Sequence, residues 1–147
     1  MASIVYNEFK RASAAGEIDL NADDIRARLC MTNTTCDTEN DTITNVSEFT
    51  TIDVCDDSGY SGDIALSTET VTRDDANDRA EFSAVDLQWT GLNGNATRDA
   101  QGVLLYKFVT NDAGSTPICF VDFATDIPST ATTINVPWDA QGILQLT

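Results

Sequence analysis

The chain has 147 residues, about one domain, and folding at that size buries roughly 68 to 70% of the surface that the unfolded chain exposes, so a proper core is within reach. Asp and Glu number 24 against 8 Lys and Arg, a net charge of −16, which argues against nucleic acid as a partner because that affinity comes from cations neutralising phosphates. Histidine is absent, which removes Ser-His-Asp and Cys-His catalysis and every His-dependent metal site, and no apolar run of 18 or more residues offers a membrane span.

From Ser3, the spacing of Ile4, Val5, Phe9 and Ala12 with Glu8, Lys10 and Arg11 between them predicts a short amphipathic helix, Ser3 its N-cap and Gly16 its stop. This start lacks the basic region and long apolar stretch of a secretory signal, so the expectation is a soluble protein without a leader. Residues 25–32 alternate strictly, with Ile25, Ala27, Leu29 and Met31 on one face and Arg26 and Arg28 on the other, the pattern of a half-buried strand. Residues 33–62 are rich in Thr, Asn, Asp, Ser and Gly, with apolar islands only at Ile43, Val46, Phe49, Ile52 and Val54. The spacing of Ile43, Val46 and Phe49 suggests a turn or two of helix inside a long irregular insert, the kind of excursion that carries contacts rather than core. Removing residues 35–57 is therefore expected to leave the fold intact while weakening attachment to a partner.

The segments 69–73 and 79–84 alternate around the polar turn Asp74-Asp75-Ala76-Asn77-Asp78 and predict a hairpin. A strand follows at 85–90, then turn formers at 91–95. Residues 102–110 are the most continuously apolar run and predict a central strand buried on both faces. A turn at 111–115 leads into a strand at 118–123, and 134–136 and 143–146 supply two more. Short strands divided by turn signals, with one helix, predict a mainly β, single-domain antiparallel sandwich or barrel-like fold over residues 1–147.

The four cysteines, Cys30, Cys36, Cys55 and Cys119, permit two disulfides in three connectivities. Cys119 lies in an apolar strand and reads as a buried free thiol, while Cys36 and Cys55 flank polar insert and are the favoured pair should a bridge form. No Cys-x-x-Cys pair supports zinc. Asp86, Asp122 and Asp126 lie near apolar strands, with Trp89 close to the first, but in so acidic a chain such proximity carries no signal for a glycosidase pair. Asp74 to Asp78 and Asp53 to Asp57 offer oxygen ligands for calcium without the EF-hand pattern, and the former reads as a plain hairpin turn. No metal or cofactor is expected. The glycine pairs at 59–62 and 91–94 match neither a P-loop nor a dinucleotide fingerprint.

The chain closes on Ile134-Asn135-Val136-Pro137-Trp138 and Ile143-Leu144-Gln145-Leu146-Thr147, apolar alternation to the last residue, so both ends are expected to be built into structure. Ile4, Val5, Tyr6 and Phe9 exceed what a terminal helix needs to cover a small sandwich and are candidate partner contacts; closing the chain's own core is the alternative. Trp138 beside Pro137 is a candidate interface anchor, with a buried core role as its alternative. The two ends, with Gly16-Glu17-Ile18-Asp19-Leu20, the Val71-to-Trp89 block, Leu105-Tyr106-Lys107 and Val121-Asp122-Phe123, resemble a family of small virion structural proteins of tailed bacteriophages, over nearly the whole chain. The resemblance implies a non-enzymatic head decoration, or cement, protein made in the bacterial host cytoplasm. Such a protein coats the outer surface of the head, a homotrimer bridging neighbouring subunits of the major capsid protein. A tail or fibre component is the alternative, with Tyr60, Trp89 or Tyr106 as an aromatic platform for host glycan; a small cell-wall hydrolase is a third reading.

Overall fold

The computed structural model describes residues 2–147. Ten strands form three antiparallel sheets: β1 (Ile4–Val5), β2 (Ile25–Met31), β3 (Ile64–Ala65), β4 (Thr70–Asp74), β5 (Arg79–Ser83), β6 (Leu87–Thr90), β7 (Ala100–Val109), β8 (Asn111–Ile127), β9 (Thr133–Val136) and β10 (Leu144–Leu146). The large sheet has the order β1-β8-β7-β2-β3, a second runs β10-β5-β4, and β6 pairs with β9 alone. This is the expected mainly β, sandwich-like fold with one short helix, α1 (Asn7–Ala14). Among the described residues, no helix is long and apolar enough to cross a membrane.

Strand β7 is central as expected, and its alternation separates two cores. Val103 and Leu105 face the main core with Ala27, Leu29, Cys119 and Val121, joined by Phe82, Trp89, Ile134 and Leu144 from the smaller sheets. Leu104 and Tyr106 face the other way with Cys30 and Phe120. β8 leaves no room for a side chain at Gly102: an added Cβ would lie 2.5 Å from the Val121 carbonyl oxygen and 2.6 Å from the Phe120 ring. The reversal expected at 111–115 comes one residue earlier, at Thr110 (φ +64°), where Val109 pairs with Asn111; residues 112–115 are an irregular opening of β8, with Ser115 Oγ donating to the Asn111 carbonyl and accepting from Val109 N–H.

Two expectations are corrected here. The helix does not begin at Ser3. Ile4 and Val5 pair with Phe120 and Cys119 as an edge strand, Ser3 Oγ accepts the Asp122 N–H, and α1 starts after Tyr6 without a side-chain cap, ending before Gly16 at φ +71°. β-Branched Ile4 and Val5 gain more from extending the sheet than from a helix turn at a chain end.

The second correction concerns residues 33–62. Ile43, Val46 and Phe49, around a 3-10 turn at Val46–Glu48, are buried and, with Tyr6 and Cys36, cover the second face of the large sheet, which Cys30, Leu104, Tyr106 and Phe120 present. The returning limb is tied to β2 through Met31 N–H to Asp53 O and Cys55 N–H to Leu29 O, and Thr35 N–H bonds Thr51 O. The segment is thus irregular, as expected, yet it is core. Removing residues 35–57 would strip the sheet's second face to water, so the expectation that the fold survives that deletion fails.

Candidate functional site

The polar side chains that could bear chemistry are bound into structure. Arg28, on the face of β2 predicted for it, forks onto Asp63 (Nη2 to Oδ2 2.7 Å) and Asp112 (Nη1 to Oδ2 2.8 Å), while Tyr106 and Tyr60 hydroxyls donate to Asp63. Burial works against the Arg28 charge, but the two carboxylates outweigh it and hold the guanidinium firmly protonated. Burial, followed by the neighbouring Asp63, raises both tyrosines above the ordinary phenol range. Asp57, only 5% exposed, accepts backbone N–H groups from Asn93 (2.8 Å), Asn95 (2.9 Å) and Gly59 (2.7 Å), clamping the 91–95 turn to the end of the insert. Those donors, Asn93 first, hold its carboxyl below the usual range against the opposing effect of burial. Gly59 packs against the carbonyl oxygen of Gly91, where a Cβ has no room.

The acidic clusters at 53–57 and 74–78 are equally occupied. Asp53 ion-pairs with Arg98, Asp56 accepts from Thr97, and Asp74 accepts from Ala76 N–H and Asn77 Nδ2, the plain hairpin turn expected at 74–78. Among the described residues there is no cluster of three or more acidic or cysteine side chains with metal-binding geometry. Asp86 lies at the start of the β6–β9 ribbon, while Asp122 and Asp126 belong to β8 in another sheet. Asp122 has its carboxyl raised by burial and by the facing Asp37 and Asp126. An aromatic platform for glycan is not presented by Trp89 or Tyr106, each 1% exposed, and Tyr60 is half-buried with its ring beside Trp89.

All four cysteines are buried and free. Cys36 and Cys55, the favoured pair should a bridge form, are not brought together: Cys55 belongs to the main core and Cys36 to the second, on opposite faces of the sheet. Cys36 lies instead in the second core with Cys30, whose thiol donates to the Arg28 carbonyl (3.7 Å); the neighbouring Cys36 thiol and burial push the Cys30 thiol up, and burial pushes Cys119 up to about 12.

The sequence-predicted contacts divide. Tyr6 and Phe9 are fully buried, which corrects their reading as docking residues: Tyr6 caps the second core, its hydroxyl donating 2.6 Å to the Cys36 carbonyl and its ring 5.3 Å from that of Phe49, and Phe9 closes the main core. Ile4 and Val5 are half-buried on opposite faces of the edge strand. Trp138 is half-buried: it packs against the edge of the main core, as its alternative reading had it, and leaves part of its ring at the surface. Leu87 pairs with Val136, so residues 85–86 and 137–138 extend the ribbon side by side. There the Asp86 carboxylate accepts Trp138 N–H (2.9 Å), and the indole Nε1 donates to Val85 O (3.0 Å). Val85 beside it is 53% exposed. The result is an apolar corner of Val85, Pro137 and Trp138 whose polar groups are already satisfied and whose indole is fixed in place. Sequence reasoning found Trp138 through its proline neighbour but missed Val85 and the bracing role of Asp86, because strand pairing brings them together.

Concave space is limited. A cavity of about 10 Å³ beside Asp57 and Cys55 has room for one water at most, and the larger hollows are open grooves. Compared with protein-family descriptions, with curated proteins and with solved structures, the chain matches none.

Proposed function

We propose that this protein is a non-enzymatic virion structural protein that decorates the outer surface of a phage head, bridging neighbouring subunits of the major capsid protein. The observation that carries the reading is the Val85–Pro137–Trp138 corner. An indole fixed by its Nε1–H bond to the Val85 carbonyl, on a backbone that Asp86 holds, next to exposed aliphatic surface, can be buried against a partner with little loss of side-chain entropy, which is how interface anchors act. The rest of the molecule agrees with a scaffold that works by binding: its carboxylates brace turns and ion pairs, its thiols are buried, and its charge of −16 suits the outside of a shell, away from packaged DNA. Each copy buries modest area, and many copies together resist the pressure from within.

The test is to label virions with an antibody to this protein and locate it by electron microscopy, in parallel with co-sedimentation of the purified protein and its Trp138→Ala variant with heads that lack it. Dense label over the head, and at least a tenfold weaker association of a variant that keeps its thermal midpoint to within a few degrees, is the expected result. Label confined to the tail overturns the decoration reading in favour of a tail or fibre component. Equal association of the variant removes the corner as the contact.

A further inference from the structure

Strand β4 is the outer strand of its sheet, and Thr70, Val71, Thr72 and Arg73 are all exposed. The outer strands of the large sheet, β1 and β3, are two residues long; β4 runs for five, with backbone N–H and C=O groups facing outward beyond β5. Its inner face is unfinished as well. Val71 lies opposite Phe82 and Leu144, which are buried, yet Val71 itself is 41% exposed; Leu146, in the same layer, is 38% exposed. Both residues border an open groove of about 400 Å³ that Ile18 and Leu20 line from the far side.

The sequence of this edge is Glu69-Thr70-Val71-Thr72-Arg73, and it is complementary to itself when read antiparallel. An antiparallel pair with two-fold symmetry must be centred on one residue. Centred on Val71, it sets valine against valine, each Thr70 against Thr72, and each Glu69 against Arg73, which brings opposite charges together twice. Centred on Thr72 it would set Glu69 against Asp75 and Val71 against Arg73; centred on Arg73 it would set two arginines face to face. Only the first register satisfies charge and apolar pairing together. Side chains 69, 71 and 73 share one face of the strand, so the two valines meet over the mouth of the groove while the threonines pair on the outer face.

We propose that a second copy of this chain docks here, β4 against β4 about a two-fold axis at Val71, joining the two β10-β5-β4 sheets into one. The edge and its register stand apart from the capsid reading; only the use of a weak contact between crowded copies rests on it. It differs from the three-fold ring that the phage resemblance implies, because a two-fold contact uses the same segment on both copies. A five-residue edge lies below the size of a standard stable interface, so the dissociation constant is expected to be on the order of 10–100 µM, a strength suited to copies already crowded on a surface.

The experiment is sedimentation equilibrium of the purified chain up to about 1 mM at physiological ionic strength, where a Debye length of about 8 Å screens the repulsion between two acidic copies. The mass is expected to rise with concentration toward twice the 15.9 kDa of one chain. Glu69→Arg alone and Arg73→Glu alone each set like charges opposite one another and should weaken the association tenfold or more; the double variant E69R/R73E restores the pairs and should recover it. Val71→Asp, with two carboxylates on the axis, should leave only monomer, and circular dichroism checks that each variant is folded. A wild-type chain that stays monomeric throughout overturns the proposal. So does a limiting mass of three chains, or a double variant no better than its parents.

Discussion

The two faces of the large sheet are covered in different ways. On the main-core face, residues from Phe9 to Leu144 come together from α1 and from strands of all three sheets, and the alternation of each strand announces its part. On the other face, a single polar stretch folds over the sheet and contributes only Cys36, Ile43, Val46 and Phe49 to the buried cluster. The difference teaches that a covering layer needs only enough apolar residues to match the surface beneath it. Here that surface is small, Cys30, Leu104, Tyr106 and Phe120 with Tyr6 at its margin, so the cover can be largely Thr, Asn and Asp. The polar remainder is not idle: Glu39 accepts from Thr35 and Thr50, and Glu48 and Asn45 form a capping box on the 3-10 turn.

Breaking this second layer should produce the largest effect. Deleting residues 35–57 is expected to abolish cooperative thermal unfolding and to give strong binding of a hydrophobic dye, as the exposed sheet face loses its packing. Phe49→Ala should destabilise the protein by about 3–5 kcal/mol in urea titration, in the range for a buried aromatic and comparable with Phe82→Ala in the main core. A loss below about 0.5 kcal/mol would mean that the segment is an appendage of the sheet.

A smaller effect sharpens the comparison at the clamp that ties the segment's end to the 91–95 turn. The Asp57 carboxyl is held below its unfolded value by backbone donors, so its contribution to stability is present above about pH 4, the unfolded value, and is lost as pH falls through the folded one. Asp57→Asn should lower stability at pH 7 and flatten the loss between neutral and acid pH, measured as urea midpoints across that range. The smallest change is expected at the open edge: Val71→Thr keeps β-branching at an exposed site and should alter monomer stability by no more than about 0.5 kcal/mol.

The sequence carried most of the main core. Strict alternation placed Ile25, Ala27, Leu29 and Met31 on one face, and the most continuously apolar run, at 102–110, marked the strand buried on both sides. What it did not carry was long-range pairing. Ile4 and Val5 fit a helical spacing and a strand equally well, and only the exposed backbone of β8 decides between them. Ile43, Val46 and Phe49 stood out by spacing, but their polar surroundings hid the fact that they face a sheet. The cysteines were read by their distance along the chain, whereas the side of the sheet each one faces determines its neighbour: Cys36 lies with Cys30, and Cys55 with the main core. Trp138 stood out in the sequence beside Pro137; the residues that brace it, Val85 and Asp86, lie just before β6, about fifty residues away, and needed the ribbon register.

Native-state hydrogen exchange tests most directly whether the polar segment is a structural layer of this protein. The amides of Thr35, Met31 and Cys55, which bond within the segment or between it and β2, are to be compared with that of Leu104 at the centre of β7. If the two faces form one unit, all four exchange with the free energy of global unfolding and shift together under mild denaturant. Exchange of Thr35 and Cys55 through a local opening well below the global value, with Leu104 still protected, would contradict the account and make residues 33–62 a detachable loop.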